Sequence, residues 1–376
     1  MRLVVQLRLM PDSATEAALS ETLSVCNRAA NVVADVAHSH RGAKGKVPSN
    51  YDLRRLCYRQ VKQSVGGSQA AQHVIKKVAD AYASLWSNLA AGSYGKKGSA
   101  RYLRAANRRV AFRNDSAQPF DSRNFSLVAN LQVVSLWTVR GRIKGIPYVG
   151  GQQQLKAVAD HPVGESDLVH RRGKWFLLVT ITVPDVVAAE PTGFLGVDLG
   201  IENIAVTSDG TFYQGQPITR TRKRFLHKRT ELQKVGTRSA KRRLKRRSRR
   251  ETRFVSDVNH CVSKEIVAEA KRTGRGIAVE KLTGIRERVR HRKPQRAMFH
   301  SWAFAQLASF ISYKAALAGV PVTVVDPAYT SQRCSACGHI DRKNRRDQQT
   351  FRCRSCSFAE HADYNAALNI AQRATV

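Results

Sequence analysis

The sequence predicts an α/β domain in the C-terminal half, preceded by a β-barrel and a helical module, with a zinc ribbon set into the α/β part. Three observations predict it. From Phe194 onward, short apolar strands and helical stretches alternate, the pattern of an α/β sheet. Between residues 109 and 187 the chain gives short β runs split by Gly- and Asp-containing turns. Near the C-terminus four cysteines stand as Cys334-x2-Cys337-x15-Cys353-x2-Cys356, two knuckles at a separation that closes around one ion.

Residues 1–10, Met-Arg-Leu-Val-Val-Gln-Leu-Arg-Leu-Met, alternate with period two and read as a strand rather than a signal peptide. Pro11 and Asp12 break it. Ser13-Ala-Thr-Glu16 then fits a capping box, in which hydroxyl and carboxylate satisfy exposed amides at a helix start. Leu19, Leu23, Cys26, Ala30 and Val33 follow at spacings of three and four, one apolar helix stripe. Two more helical patterns cover 51–63 and 69–91, with Val74, Val78, Leu85 and Leu89 on one face of the second. Residues 91–99 form a basic, Gly-rich loop. The β runs are Val110–Phe112, Leu127–Ala129, Gln132–Trp137, Arg142–Ile146 and Trp175–Val183. Together with the first strand they are expected to close a small barrel, into which the helices of 13–91 are inserted. Residues 184–191, bounded by two prolines, read as a linker.

In the α/β part, Phe194–Leu199, Asn203–Thr207 and Thr211–Tyr213 read as three strands joined by tight turns, and 220–272 as one long helical stretch. Gly276–Glu280 is a strand, Phe299–Ala318 a helix, Val322–Val325 a strand and Asp363–Arg373 a final helix. The expected division is a barrel of 1–10 and 106–190, a helical module of 11–105, an α/β domain of 191–332 and 358–376, and a ribbon of 333–357.

Lys and Arg total 64 against 28 Asp and Glu, a net charge of +36. Such an excess repels itself and calls for a polyanionic partner, nucleic acid first and an anionic membrane surface second. No apolar run reaches the about 18 residues that span a bilayer. Nucleic acid is the expected partner, with no membrane and no small-molecule substrate. Cys26, Cys57 and Cys261 stand alone in helical patterns. With the other four in CxxC pairs, a reducing cytoplasm fits better than a secreted disulfide scaffold.

Four thiolates fill the coordination shell of Zn2+, which makes the expected zinc structural and leaves His339 and His361 outside it; the plainer reading is two unrelated redox CxxC pairs, which rarely come doubled at this separation. Three carboxylates sit in settings that suit a second metal site. Asp198 follows an apolar strand, between Gly196 and Gly200, where an unpaired charge costs several kcal/mol. Glu280 ends a second apolar strand, and Asp363 opens a helix. Each has a plainer reading: Asp363 as an N-cap, Glu280 as the partner of Lys281 or of another nearby base. If the two strands are neighbours and the helix packs across their ends, the three converge. Such a cluster suits two Mg2+ ions about 4 Å apart, one activating water and one stabilising the leaving oxygen of a phosphodiester.

The run Lys241-Arg-Arg-Leu-Lys-Arg-Arg-Ser-Arg-Arg250 puts basic residues on all sides of any helix it forms. It reads as a phosphate-tracking helix carrying Arg242, Arg243, Arg246, Arg247, Arg249 and Arg250, or as an address or a disordered tail. Of the aromatics Trp86, Tyr94, Trp137 and Trp175, Tyr94 in its Gly-Lys loop is the candidate for stacking on a base, whereas Trp175 lies in an apolar strand.

The residues of 194–373 resemble the TnpB family of transposon-encoded RNA-guided DNA endonucleases, relatives of the compact type V CRISPR effectors. The resemblance is carried by Gly196-Val-Asp-Leu-Gly200 with Asn203 and Ser208-Asp-Gly210, by Val279-Glu-Lys-Leu282, and by Trp302-Ala-Phe304 with Tyr313-Lys-Ala315. It continues in Asp326-Pro-Ala-Tyr-Thr-Ser-Gln-Arg-Cys-Ser-Ala-Cys-Gly338 and His361-Ala-Asp-Tyr-Asn-Ala-Ala-Leu-Asn-Ile370. The N-terminal half matches only in layout and length. One departure is Ser357 after the second knuckle, where the family often has Gly. The resemblance implies a RuvC-like nuclease of the RNase H superfamily with Asp198, Glu280 and Asp363 as its metal-binding triad. It implies a wedge-type barrel and a helical recognition lobe that bind a guide RNA and the guide–target duplex, in a bacterial or archaeal cytoplasm at the nucleoid. Two other functions keep the same residues: an RNA-guided DNA-binding regulator without physiological cleavage, and a transposase that joins DNA ends directly.

Overall fold

The computed structural model describes residues 1–42, 46–200, 202–281, 304–347 and 349–375, and the backbone alone at 248, 249 and 304. It divides into two units, Met1–Pro184 and Asp185–Val376.

In the first unit, β1 (Arg2–Leu9) is the middle strand of a seven-stranded sheet. It pairs antiparallel with β7 (Trp175–Thr182) on one side and β5 (Gly141–Val149) on the other. β6 (Val163–His170) and β2 (Gln118–Phe120) continue beyond β7, and β4 (Val133–Thr138) and β3 (Phe125–Val128) beyond β5. The edge strands β2 and β3 are consecutive in the chain, joined by the turn 121–124, so the sheet curls back on itself into a nearly closed barrel. That turn is fastened by the Asp121 carbonyl, which accepts from the N–H groups of Asn124 and Phe125 at 3.0 and 2.9 Å. Alternation fills the interior: Leu7, Leu9, Trp175, Leu177, Val179 and Ile181 are all buried. Each such aliphatic side chain contributes about 1.5–3 kcal/mol on burial.

Four helices lie between β1 and β2: α1 (Ser13–Ser39), α2 (Asn50–Val65), α3 (Ser68–Ala90) and α4 (Ala100–Ala106). The α1 stripe is shared between two cores. Leu19 and Leu23 pack into the barrel, and Cys26, Ala30 and Val33 pack against α2 and α3. The cap of α1 falls one residue earlier than the sequence suggests. Asp12 is the N-cap, and its carboxylate accepts from Thr15 N–H at 2.7 Å. The strand expected at Val110–Phe112 is absent. Asn31 of α1 takes both backbone groups of Phe112 at 2.8 and 2.9 Å and so replaces a strand partner. A helix α5 (Gln152–Asp160) and strand β6 occupy a stretch where the sequence suggested neither.

The second unit is built on a five-stranded sheet in the order β10-β9-β8-β11-β12. β8 (Phe194–Asp198), β9 (Asn203–Thr207) and β10 (Phe212–Gln214) form an antiparallel meander. β11 (Gly276–Glu280) and β12 (Val322–Val325) run parallel to β8. The stretch 220–272 is two helices, α6 (Gln216–Val235) and α7 (Arg238–Arg272). Gly236 at φ 67° ends the first in a left-handed turn, and the Thr237 hydroxyl caps the second by accepting Ala240 N–H at 3.2 Å. Of the helix expected to begin at Phe299, α8 is described over Phe304–Ala318, and residues 299–303 lie outside the described residues, as do Leu282 and Trp302. β13 (Thr350–Arg352) and β14 (Ala359–His361) form a small hairpin before the final helix α9 (Ala362–Ala374).

The two faces of the sheet differ. Leu195 and Val197 of β8 and Ile277 and Val279 of β11 point into a core shared with α7 and α8. The alternate positions, Gly196 and Ala278, face α9. Gly196 lets that helix lie directly on the strand: a Cβ there would stand 2.0 Å from the Ala367 carbonyl oxygen and 2.6 Å from the Ala371 nitrogen.

Candidate metal centres and nucleic-acid interface

The parallel register pairs Val279 with Val197, so the next residues, Glu280 and Asp198, end their strands side by side. By alternation both side chains point to the α9 face, the same as Gly196. Asp363 lies in the first turn of α9, four residues before Ala367 at the Gly196 crossing. The three carboxylates therefore lie near one another at the carboxyl end of adjacent parallel strands, where open α/β sheets bind their ligands, close enough for Glu280 and Asp363 to act on Asp198 but without drawing their oxygens within 4.8 Å of one another.

Their environment is costly for charge. Burial first, and then the charges of Glu280 and Asp363, push the Asp198 carboxyl well above the usual range, with Arg345 and the Leu199 amide pulling the other way. Burial also raises Glu280, opposed first by the Thr330 hydroxyl and then by Arg373 and Arg345. Thr330 donates to Glu280 Oε1. Asp363 is 3% exposed. Its Oδ2 accepts from Asn203 Nδ2 at 3.0 Å and its Oδ1 from Arg345 Nη2 at 3.0 Å. The N-cap reading of Asp363 does not fit these contacts, whereas Glu280 does have nearby bases in Arg373 and Arg345. The N-cap of α9 is His361, and Glu280 makes no ion pair with Lys281 among the described residues.

Arg345 was not singled out by sequence reasoning. Nothing in pattern or spacing separates it from the other basic residues of a chain with 64 of them. It places one positive charge among three carboxylates, where a bound cation would otherwise be needed. The oxygen-only donor set suits a hard divalent ion such as Mg2+.

The four cysteine sulfurs lie within 4.8 Å of one another, the one such group of metal-ligating atoms among the described residues. Cys334 and Cys356 are 3.7 Å apart at sulfur, and Cys337 and Cys353 3.6 Å. A tetrahedron with Zn–S bonds of about 2.3 Å has an edge of about 3.8 Å, so the donor set and spacing fit zinc. Backbone N–H groups of Ser355 and Cys356 point at Cys353 Sγ at 3.4 and 3.5 Å, which favours a thiolate.

The cysteine ribbon is stitched to α9 through its two asparagines. Asn365 donates to the Arg333 carbonyl at 2.8 Å and accepts from Ser335 N–H at 3.0 Å. Asn369 donates to the carbonyls of Thr330 and Arg333 at 2.9 and 2.7 Å. These bonds tie Thr330 and Asp363 to the same scaffold.

The basic candidates lie elsewhere. Arg242, Arg243, Arg246 and Arg250 are exposed on α7, and Arg247 is half-buried with its guanidinium 5.3 Å from the Phe225 ring. The Arg249 side chain lies outside the described residues. Arg243, Arg246, Arg247 and Arg250 line a cleft of about 400 Å3 between α6 and α7. Tyr94 belongs to the first unit, half-buried in the loop after α3.

A family model described as a Cas12f1-like TNB domain matches residues 304–370, and one described as a probable transposase matches 177–285. A TnpB-like protein of Methanocaldococcus jannaschii is 30% identical over 207 residues, covering 51% of this chain and 73% of that one. The chain belongs to the TnpB family. A Cas12f1 endodeoxyribonuclease of Sulfoacidibacillus thermotolerans is 34% identical over 233 residues, 56% of this TnpB-type chain and 54% of that protein. A putative RNA-guided DNA endonuclease, InsQ of Escherichia coli, is 26% identical over 219 residues. The chain thus spans about half the length of the Cas12f1 relative. The TnpB-type fold is that of a Cas12f1 chain solved with its guide RNA and target DNA, at a TM-score of 0.65 and 16% identity, over 94% of this chain and 82% of that one. Among the described residues no helix is long and apolar enough to cross a membrane.

Proposed function

We propose that this chain is an RNA-guided, Mg2+-dependent DNA endonuclease of a transposable element, cutting guide-matched DNA beside a short flanking motif with one RuvC-like site. The observation that carries the reading is the nearness of Asp198, Glu280 and Asp363 to one another at the end of the β8–β11 pair. In this reading the three carboxylates hold two divalent cations. When bound, those ions supply an activated water and a stabilised leaving oxygen in phosphodiester hydrolysis.

The chain's own residues prepare the site. Thr330 fixes the orientation of Glu280, and Asn203 that of Asp363. The raised Asp198 must give up its proton before it can bind a cation well, so acid weakens the site. Arg345 neutralises part of the carboxylate charge, and its guanidinium is a bidentate donor of the kind that pairs with phosphate oxygens. One zinc held by Cys334, Cys337, Cys353 and Cys356 is structural, because four protein ligands leave no open position.

The remaining assignments follow the family. The barrel of 1–10 and 106–190 and the helical module of 11–105 bind guide RNA, the flanking motif and the guide–target duplex by shape and backbone. Residues 191–332 and 358–376 form the nuclease domain, with 333–357 as its ribbon. Arg242, Arg243, Arg246, Arg247, Arg249 and Arg250 track phosphates, Tyr94 stacks on a base, and the protein works at the nucleoid of a bacterial or archaeal cell.

Sequencing the RNA that copurifies with the chain tests this reading. A discrete RNA that directs cutting to DNA matching one of its ends supports it. A direct transposase would instead carry no discrete RNA and would bind the element's ends, and a regulator would carry the RNA without cutting.

A further inference from the structure

We infer that the helical part of the first unit holds a pocket for one unstacked ribonucleotide of the RNA this protein carries. A cavity of about 500 Å3 lies between α3, the loop 91–99, α4 and the segment 108–111. That size falls within the about 300–1,000 Å3 of pockets for small ligands. Part of its lining is apolar, from Ala81, Leu85, Ala105 and Val110. Tyr94 forms a wall, in a loop whose Gly92, Gly95 and Gly98 adopt φ of 72°, 91° and 84°. Those left-handed positions turn the loop tightly beside the slot.

Around this slot stand Arg101, Arg104 and Arg108. All three are exposed. Arg101 donates to the Ser93 carbonyl at 3.4 Å, and none of the three has an acidic partner among the described residues. Their neighbour Arg109 shows the contrast. It is committed to Asp35 at 2.7 Å and to the Asn31 carbonyl at 3.2 Å. Ser84 and Asn88, one turn apart on α3, add a hydroxyl and an amide to the lining.

Three cations without an acid call for phosphate. A tyrosine wall with an apolar slot calls for a flat, weakly polar face. A hydroxyl and an amide beside them suit a sugar hydroxyl or a base edge. A nucleotide meets all three demands, and only when its base is free of the stack. Single strands are held in this way, with bases on aromatic rings and phosphates on arginine. The 2′-OH gives Ser84 and Asn88 a partner that DNA lacks. The inference rests on the proposed RNA partner and adds a site for it.

The test uses the full chain, freed of copurifying RNA in high salt. It is given an RNA of about 20 nucleotides containing 4-thiouridine, or the matching DNA strand containing 4-thiothymidine; each is irradiated and the cross-linked peptides mapped. RNA is expected to cross-link within residues 84–111. Arg104→Ala with Arg108→Ala should abolish that cross-link and reduce the log–log salt slope of RNA binding by about 1.4, from about 0.7 per single-strand phosphate contact. Tyr94→Phe should keep the cross-link and Tyr94→Ala should lose it, with unchanged thermal midpoints. RNA bound with an unchanged slope in the double variant, or cross-linked elsewhere, overturns the pocket alone. Cross-linking of the DNA strand here in preference to RNA overturns the ribonucleotide assignment. Failure to bind RNA at all overturns both the pocket and the proposed function.

Discussion

Asp198 is a carboxylate held where ionisation is costly, and that cost has a measurable sign. Its folded-state pKa is raised, so over the pH range between its ordinary and its raised value the native protein holds a proton that the unfolded chain has lost. Stability therefore falls as pH rises through that window. Asp198→Asn removes the charge and should raise the thermal midpoint of Mg2+-free protein at pH 8 by at least about 2 °C, the scale of about 1 kcal/mol in a unit of this size. The gap should narrow toward pH 4, which calorimetry at the two pH values can check; a variant no more stable than the parent at pH 8 would refute it. Gly196 is the complementary case, a residue required for packing alone. Gly196→Ala drives a methyl into the α9 backbone. It should cost more than the about 1–3 kcal/mol of side-chain overpacking, read as a lower unfolding midpoint in urea. The glycine and the aspartate were both legible as residues, since a charge and two glycines around an apolar strand end are a strong local signal. Arg345 was not, because its role arises from where the ribbon folds, and its own neighbours in sequence say nothing of Asp363.

At the scale of elements, α9 connects the cysteine cluster with the carboxylates proposed to bind Mg2+. Its Asn365 and Asn369 hold the loop of 330–335, and its Asp363 reaches the carboxylate cluster. Cys356→Ser should reduce zinc from one per chain to below half, measured by metal analysis of protein purified without chelator. It should also weaken cleavage, because loss of the ribbon frees Asn365, Asn369 and Arg345. Protein of the parent sequence that contains no zinc would refute the assignment. For α7, exposed Arg243, Arg246 and Arg250 should each contribute about 0.9 to the salt slope of duplex binding if they touch phosphate. The triple Ala variant should flatten the slope and weaken matched targets of different sequence alike. An unchanged slope in a filter-binding titration would remove α7 from the interface. Elements were read well where periodicity was strong, as in β1, β7 and the stripe of α1. The break between α6 and α7 was missed, although Gly236 and Thr237 carried it. β6 was missed because its first half, Gly164-Glu-Ser, has little apolar pattern and carries a register shift against β7 between Val163 and Ser166. The stretch Val110–Phe112 looked like a strand, but its backbone partner proved to be a side chain, Asn31.

For the whole molecule, the sequence carried the C-terminal unit further than the N-terminal one. The candidate-site motifs are local, with each residue set by a strand end, a helix start or a knuckle. A barrel depends on which distant strands pair, and here β1 joins β5 and β7 across more than a hundred residues. The high positive charge fits a polyanionic partner at every scale, from the exposed α7 arginines to the pocket beside Tyr94. The central claim is that three carboxylates make this TnpB-type chain a guided nuclease. It is tested most directly by cleavage of a supercoiled plasmid matched to the copurifying RNA, in Mg2+, by the parent chain and by Asp198→Ala, Glu280→Ala and Asp363→Ala. The parent should cut the matched plasmid and spare an unmatched one. Each variant should lose at least about a thousandfold in rate, about 4 kcal/mol of transition-state stabilisation, while binding RNA and target as the parent does. Near-normal cutting by any one of the three variants, or no cutting by the parent with its own RNA, would contradict the account.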